Sequence, residues 1–88
     1  MENMTDVKFM ELCKEKVREY VGAHVDSTDK MIPFTVYIVW YAKTLQNWKA
    51  LVSTTLLDGM YYELTLNGDK QELYLDAYKK FENKCIAL

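Results

Sequence analysis

Between Thr5 and Val21 the apolar residues recur every three or four positions, at Phe9, Leu12, Cys13, Val17, Tyr20 and Val21, and so draw one stripe along a helix. Thr5 or Asp6 can cap the free amides at its start, and Gly22 loosens the chain where the stripe ends. Lys8, Glu11, Lys14, Glu15, Arg18 and Glu19 fill the other faces with mixed charge, the signature of a solvated surface rather than a binding site. From Ala23 to Pro33 the period is lost and polar residues gather ahead of the only proline, so this stretch reads as a loop.

At Phe34 the pattern changes. Thr35 to Tyr41 is a dense run of β-branched and aromatic side chains, which suit a pleated surface, and predicts a central strand. After a short polar connection over Lys43 to Asn47, the segment Trp48 to Thr55 alternates, with Trp48, Ala50, Val52 and Thr54 on one side. Asp58-Gly59 supplies a positive φ at low cost, and Met60, Tyr62, Leu64 and Leu66 again share a side, giving a third strand hairpinned to the second. Asn67-Gly68 is the turn signal that ends it.

Two readings compete for the last segment. Glu72-Leu73-Tyr74-Leu75 alternates loosely, which allows a fourth strand near 71–75. The helical reading has more local support: Asp69 and Glu72 have capping-box spacing, and Tyr74, Ala77, Tyr78, Phe81 and Cys85 form a helical stripe among good helix formers. The expected fold is therefore α+β, ordered α-β-β-β-α, with residues 1–88 as one domain. A three-stranded antiparallel meander is flanked by N- and C-terminal helices that bury their stripes against it.

Composition narrows the function. With 88 residues, half of them apolar and seven of them tyrosine, the chain can build one core, and it differs from a disordered, aromatic-poor sequence. The formal charge of −2 comes from interspersed acids and bases, so no strong field draws nucleic acid or a membrane surface. The N-terminus lacks the basic and apolar regions of a secretory signal, and the apolar run Thr35 to Ala42 is far shorter than the roughly 20 residues of a membrane span. A cytoplasmic address, without membrane contact, is expected. Cys13 and Cys85 are too few and too far apart for a disulfide scaffold, and both are expected to be reduced core residues.

No constellation for catalysis emerges. One histidine serves the whole chain, and neither cysteine sits beside a base. Gly22, Gly59 and Gly68 are isolated rather than a phosphate cradle, and Asp58 with Glu63, or Asp69 with Glu72, is better explained by turns and caps than by acid and base work. His24, Asp26 and Asp29 lack a second imidazole or a ligand pair at metal-binding spacing. The expectation is a protein that is not an enzyme and needs no cofactor or metal.

The sheet is more informative. If Val36, Ile38, Trp40, Ala50, Val52, Tyr62 and Leu64 face the helices, then Thr35, Tyr37, Val39, Tyr41, Leu51, Ser53, Tyr61 and Glu63 point away from them. That second face is rich in tyrosine and partly apolar, so it calls for a cover: a helix of this chain, a second copy, or another protein. Tyr37, Tyr41, Lys49, Tyr61 and Glu63 are the candidate binding residues, since tyrosine combines contact area with a polar tip. Nucleic acid is the alternative partner, with bases stacked on the aromatic face and phosphates met by Lys43, Lys49 and Lys70. The element order matches double-stranded RNA-binding domains in topology only, because Asp69-Lys70-Gln71-Glu72 stands where those domains carry a basic cluster.

The stretch Val39-Trp40-Tyr41-Ala42-Lys43-Thr44-Leu45-Gln46-Asn47-Trp48-Lys49-Ala50-Leu51, followed by Asp58-Gly59-Met60-Tyr61-Tyr62-Glu63, Asn67-Gly68-Asp69-Lys70 and Tyr74-Leu75-Asp76-Ala77-Tyr78-Lys79-Lys80, resembles a family of small phage and prophage proteins of Gram-positive bacteria. That family carries no assigned activity, so the resemblance implies no catalytic residue. It implies a context: a small phage protein in the host cytoplasm that binds and redirects or inhibits a host protein, defence systems included.

Overall fold

The structure, a computed structural model, describes residues 4–24 and 33–88. Helix α1 runs Asp6–His24. Thr5 is its cap: the Lys8 amide donates to Thr5 Oγ1 at 3.2 Å, and the Phe9 amide donates to the Thr5 carbonyl at 2.8 Å. Phe9, Cys13, Val17 and Val21 are its buried stripe, four residues apart as the sequence pattern requires. The helix continues past Gly22, so Ala23 and His24 belong to it rather than to a loop. His24 closes the last turn by donating from Nδ1 to the Tyr20 carbonyl at 2.8 Å, with its ring stacked on Tyr20 at 4.1 Å.

Four strands follow, β1 Val36–Thr44, β2 Asn47–Thr54, β3 Met60–Asn67 and β4 Glu72–Lys79. They form one antiparallel sheet in sequence order. The first hairpin turns in two residues, Leu45 and Gln46, with Leu45 at φ 57°.

The expected C-terminal helix does not form; its first half is β4, the alternative near 71–75 extended to Lys79. β3 has an edge to satisfy, and pairing Leu66 with Leu73 and Leu64 with Leu75 brings both new leucines onto the core side, half-buried. Of the capping-box acids, Asp69 lies in a turn and Glu72 opens β4 opposite Asn67. Asn67 Oδ1 accepts from the amides of Asp69 and Lys70 at 3.1 and 3.2 Å, and Gln71 reverses the chain at φ 53°. Beyond β4, residues 80–88 carry no regular structure and are exposed throughout. Cys85 is therefore exposed, contrary to the expected core position, whereas Cys13 is fully buried.

A second correction lies within β1. Ile38 pairs with Val52 and Trp40 with Leu51, so Val39 is an unpaired bulge residue and the facing of all that follows is reversed. Tyr41 falls opposite Ala50 on the helix side, and Trp40 turns to the other side. The core consists of the α1 stripe with Val36, Trp48, Ala50, Val52, Tyr62, Leu64 and Leu66, and Phe9 lies 5.2 Å from the Trp48 ring. Helix and sheet thus make two layers, with the core between them.

Candidate protein-binding face

The second face of the sheet has no element over it among the described residues. Strand register arranges its side chains in rows, because directly paired residues share a face. One row is Tyr37, Ser53, Tyr61 and Tyr78; the next is Trp40, Leu51, Glu63 and Asp76; a third is Ala42, Lys49, Thr65 and Tyr74. Tyr37, Trp40, Tyr74 and Tyr78 retain 44 to 53% of their surface in solvent. Ser53, in the middle of the tyrosine row, is only 5% exposed, and its hydroxyl donates to the Met60 carbonyl at 2.9 Å.

Four of the five expected binding residues, Tyr37, Lys49, Tyr61 and Glu63, meet on this face. Lys49 and Glu63 form a diagonal ion pair at 3.5 Å. Tyr41 is the exception: the bulge sends it to the helix side, where its hydroxyl donates to Asp6 Oδ2 at 3.0 Å. That bond and the Asp6 charge raise the Tyr41 pKa. Trp40, Tyr74 and Tyr78 belong to the face and were missed. The alternation Tyr74, Asp76, Tyr78 would have revealed two of them had the segment been read as a strand, whereas Trp40 depends on a bulge that no glycine marks.

Charge on the face is sparse and uneven. Glu63 stands directly opposite Asp76, a like pair across β3 and β4, and Lys49 answers only one of the two. Tyr74 donates to Glu72 Oε2 at 3.1 Å, and that bond raises its pKa. The lysines proposed for phosphate contact are dispersed: Lys43 pairs opposite Trp48 and sits 5.3 Å over its ring on the helix side, Lys49 is in the ion pair, and Lys70 is in the β3–β4 turn.

Two shallow clefts among the described residues lie elsewhere. One, of about 250 Å³, is lined by Tyr20, His24, Asp58, Met60 and Tyr62, and burial is the main cause that raises the Tyr62 pKa there. The other, of about 240 Å³, lies by Lys43, Gln46, Trp48 and Gly68. Cys13 is pushed up to about 12 by burial, which leaves it without thiolate at neutral pH. Of the imagined metal cluster, Asp26 and Asp29 lie outside the described residues. No group of three metal-ligating side chains comes together among the described residues, and none of their helices is long and apolar enough to cross a membrane.

Fold and face define a small two-layer α+β protein in which, among the described residues, one helix lies on one side of a four-stranded meander and an aromatic surface on the other. The chain belongs to a family of unknown function, DUF6275, whose model matches residues 10–88. Comparison with curated proteins and with solved structures gives no match.

Proposed function

We propose that this chain is a non-enzymatic binding protein that docks another protein on its open sheet face, with Tyr37, Trp40, Lys49, Tyr61 and Glu63 in the contact. The observation that supports it is the aromatic surface itself. Trp40 and Tyr37 remain 44% exposed on β1, where Trp40 pairs with Leu51 and Tyr37 lies in the row that holds Tyr61 and Tyr78. Antiparallel sheets that face water carry polar side chains, whereas tryptophan and tyrosine are the residues that anchor interfaces. The dispersal of His24, Cys13 and Cys85 over helix end, core and tail supports the non-enzymatic part. The separated lysines and the acidic pair Glu63 and Asp76 favour protein over nucleic acid as partner.

In a phage setting the partner is a host protein, met in the host cytoplasm, and docking would block or redirect it. The test is affinity capture from a bacterial lysate, identification of what is held, and reconstitution from purified components. Trp40→Ser combined with Tyr37→Ser should weaken the reconstituted complex at least tenfold while leaving the circular dichroism spectrum unchanged. A partner held equally well by the double variant would refute the docking face.

A further inference from the structure

We infer that the free edge of β4 pairs with β4 of a second copy of this chain, antiparallel about a two-fold axis at Leu75, so that two four-stranded sheets become one of eight strands. The inference concerns the edge of the sheet and stands whatever the open face binds. With the strands in the order β1 to β4, each outer strand leaves one row of main-chain amides and carbonyls without a ladder among the described residues. The two edges differ. β1 is broken by the bulge at Val39 and carries Lys43, features that keep an edge from pairing. β4 has eight residues with no proline, glycine or bulge among them, and its one lysine is its last residue.

The hydrogen-bond phase of the ladder fixes which groups are free. The Lys80 amide donates to the Gly59 carbonyl at 2.7 Å, one position past the Met60 and Lys79 pair. Even-numbered residues of β4 therefore point their main chain at β3, and Leu73, Leu75 and Ala77 point theirs outward. The side chains of these three lie on the helix side, and because α1 packs over β1 and β2, Leu73 and Leu75 stay half-buried and Ala77 exposed. Pairing Leu75 with the second copy's Leu75, and Leu73 with its Ala77, satisfies the outward groups with about six main-chain hydrogen bonds and carries the apolar layer across the seam. A two-fold axis through the leucine pair keeps both helices on one side of the joined sheet.

Charge selects this register among those of the same phase. A centre at Asp76 sets Asp76 against itself, and a centre at Tyr74 sets Glu72 against Asp76. A centre at Ala77 pairs a shorter stretch of the strand and sets Leu75 against Lys79. With the centre at Leu75 the acids meet tyrosines: Asp76 faces the second copy's Tyr74, and Glu72 faces its Tyr78. Lys79 then lies opposite Gln71, while Lys70 and Lys80 fall past the paired stretch, in the turn and in the tail. The two Asp76 carboxylates are left diagonal to each other across the seam, so association should tighten as salt is added.

The test uses the full chain. An edge-to-edge seam is smaller than a standard interface, so wild type should sediment at twice the 10.4 kDa chain mass at high micromolar concentration. Ala77→Pro removes an outward amide that the monomer does not use, on an edge strand where proline is tolerated. It should raise the dimer dissociation constant by about tenfold or more with the circular dichroism spectrum unchanged. Position is read in a Cys85→Ala background under mild oxidation. Leu75→Cys should link two copies, its directly opposed Cα atoms lying about 5.5 Å apart, whereas Ala77→Cys, displaced along the strand from its counterpart, should not. Should the proline disturb the strand, the two cysteine variants decide. A wild type that stays monomeric at several hundred micromolar, a dimer that a folded Ala77→Pro leaves intact, an association that salt weakens, or cross-linking by Ala77→Cys in place of Leu75→Cys would each overturn the pairing.

Discussion

The Tyr41 hydroxyl donates to Asp6 at 3.0 Å, joining the outer half of β1 to the first turn of α1 across 35 positions of sequence. The bond requires protonated Tyr41, and it raises that group's pKa; burial raises Tyr62, and a bond to Glu72 raises Tyr74. Each contribution is whole below tyrosine's ordinary pKa of about 10 and is lost as pH climbs through the raised folded value. Stability should therefore be level with respect to these groups below about pH 10 and fall above it. Urea unfolding across the alkaline range checks this, and Tyr41→Phe with Tyr74→Phe should make the fall shallower.

Two glycines should respond to alanine in opposite directions. The Gly68 amide donates to the Gln46 carbonyl at 3.1 Å, bringing the two hairpin turns so close that a Cβ on Gly68 would collide with that carbonyl oxygen and with the Gln46 side chain. Gly68→Ala must push apart the ends of β1–β2 and β3–β4, at a cost of about 1–3 kcal/mol. Gly22, within α1 with open space around it, should gain up to about 1 kcal/mol as alanine. Urea midpoints measured side by side, with unchanged slopes, test both.

What the sequence made legible is what one burial pattern determines alone. The α1 stripe and the alternations of β2 and β3 each have a single buried face, and both the elements and their core residues follow from them. The end of the chain did not yield, because residues 69–85 carry helical spacing and helix-forming residues while β4 draws its stability from the ladder with β3, a partner no local window contains. The binding face was located but misaddressed at Trp40 and Tyr41. A bulge at Val39, a β-branched residue with no turn signature, exchanges their sides, and only the register with β2 reveals it.

The two thiols should separate cleanly. Cys13 is fully buried on the sheet-facing stripe of α1, and burial pushes its pKa up to about 12, whereas Cys85 is exposed in the tail. A thiol reagent should modify one cysteine rapidly in the native protein and the second only at the rate of opening or in denaturant. Rapid modification of both without denaturant would place Cys13 outside the core. Cys13→Ala, by leaving a small cavity between helix and sheet, should lower stability by about 1–2 kcal/mol, while Cys85→Ala should be neutral.

Asp76 tests the charge balance of the sheet face. It faces Glu63 directly across the β3–β4 ladder, and Lys49 engages Glu63 from the other side. Asp76→Lys replaces a like pair with an opposite one and should stabilise the fold by about 0.2–1 kcal/mol at low ionic strength, a gain that salt erodes. Urea unfolding at low and high salt gives the readout. Lower stability of the variant would show that the Glu63 and Asp76 pairing is not a strain on the sheet.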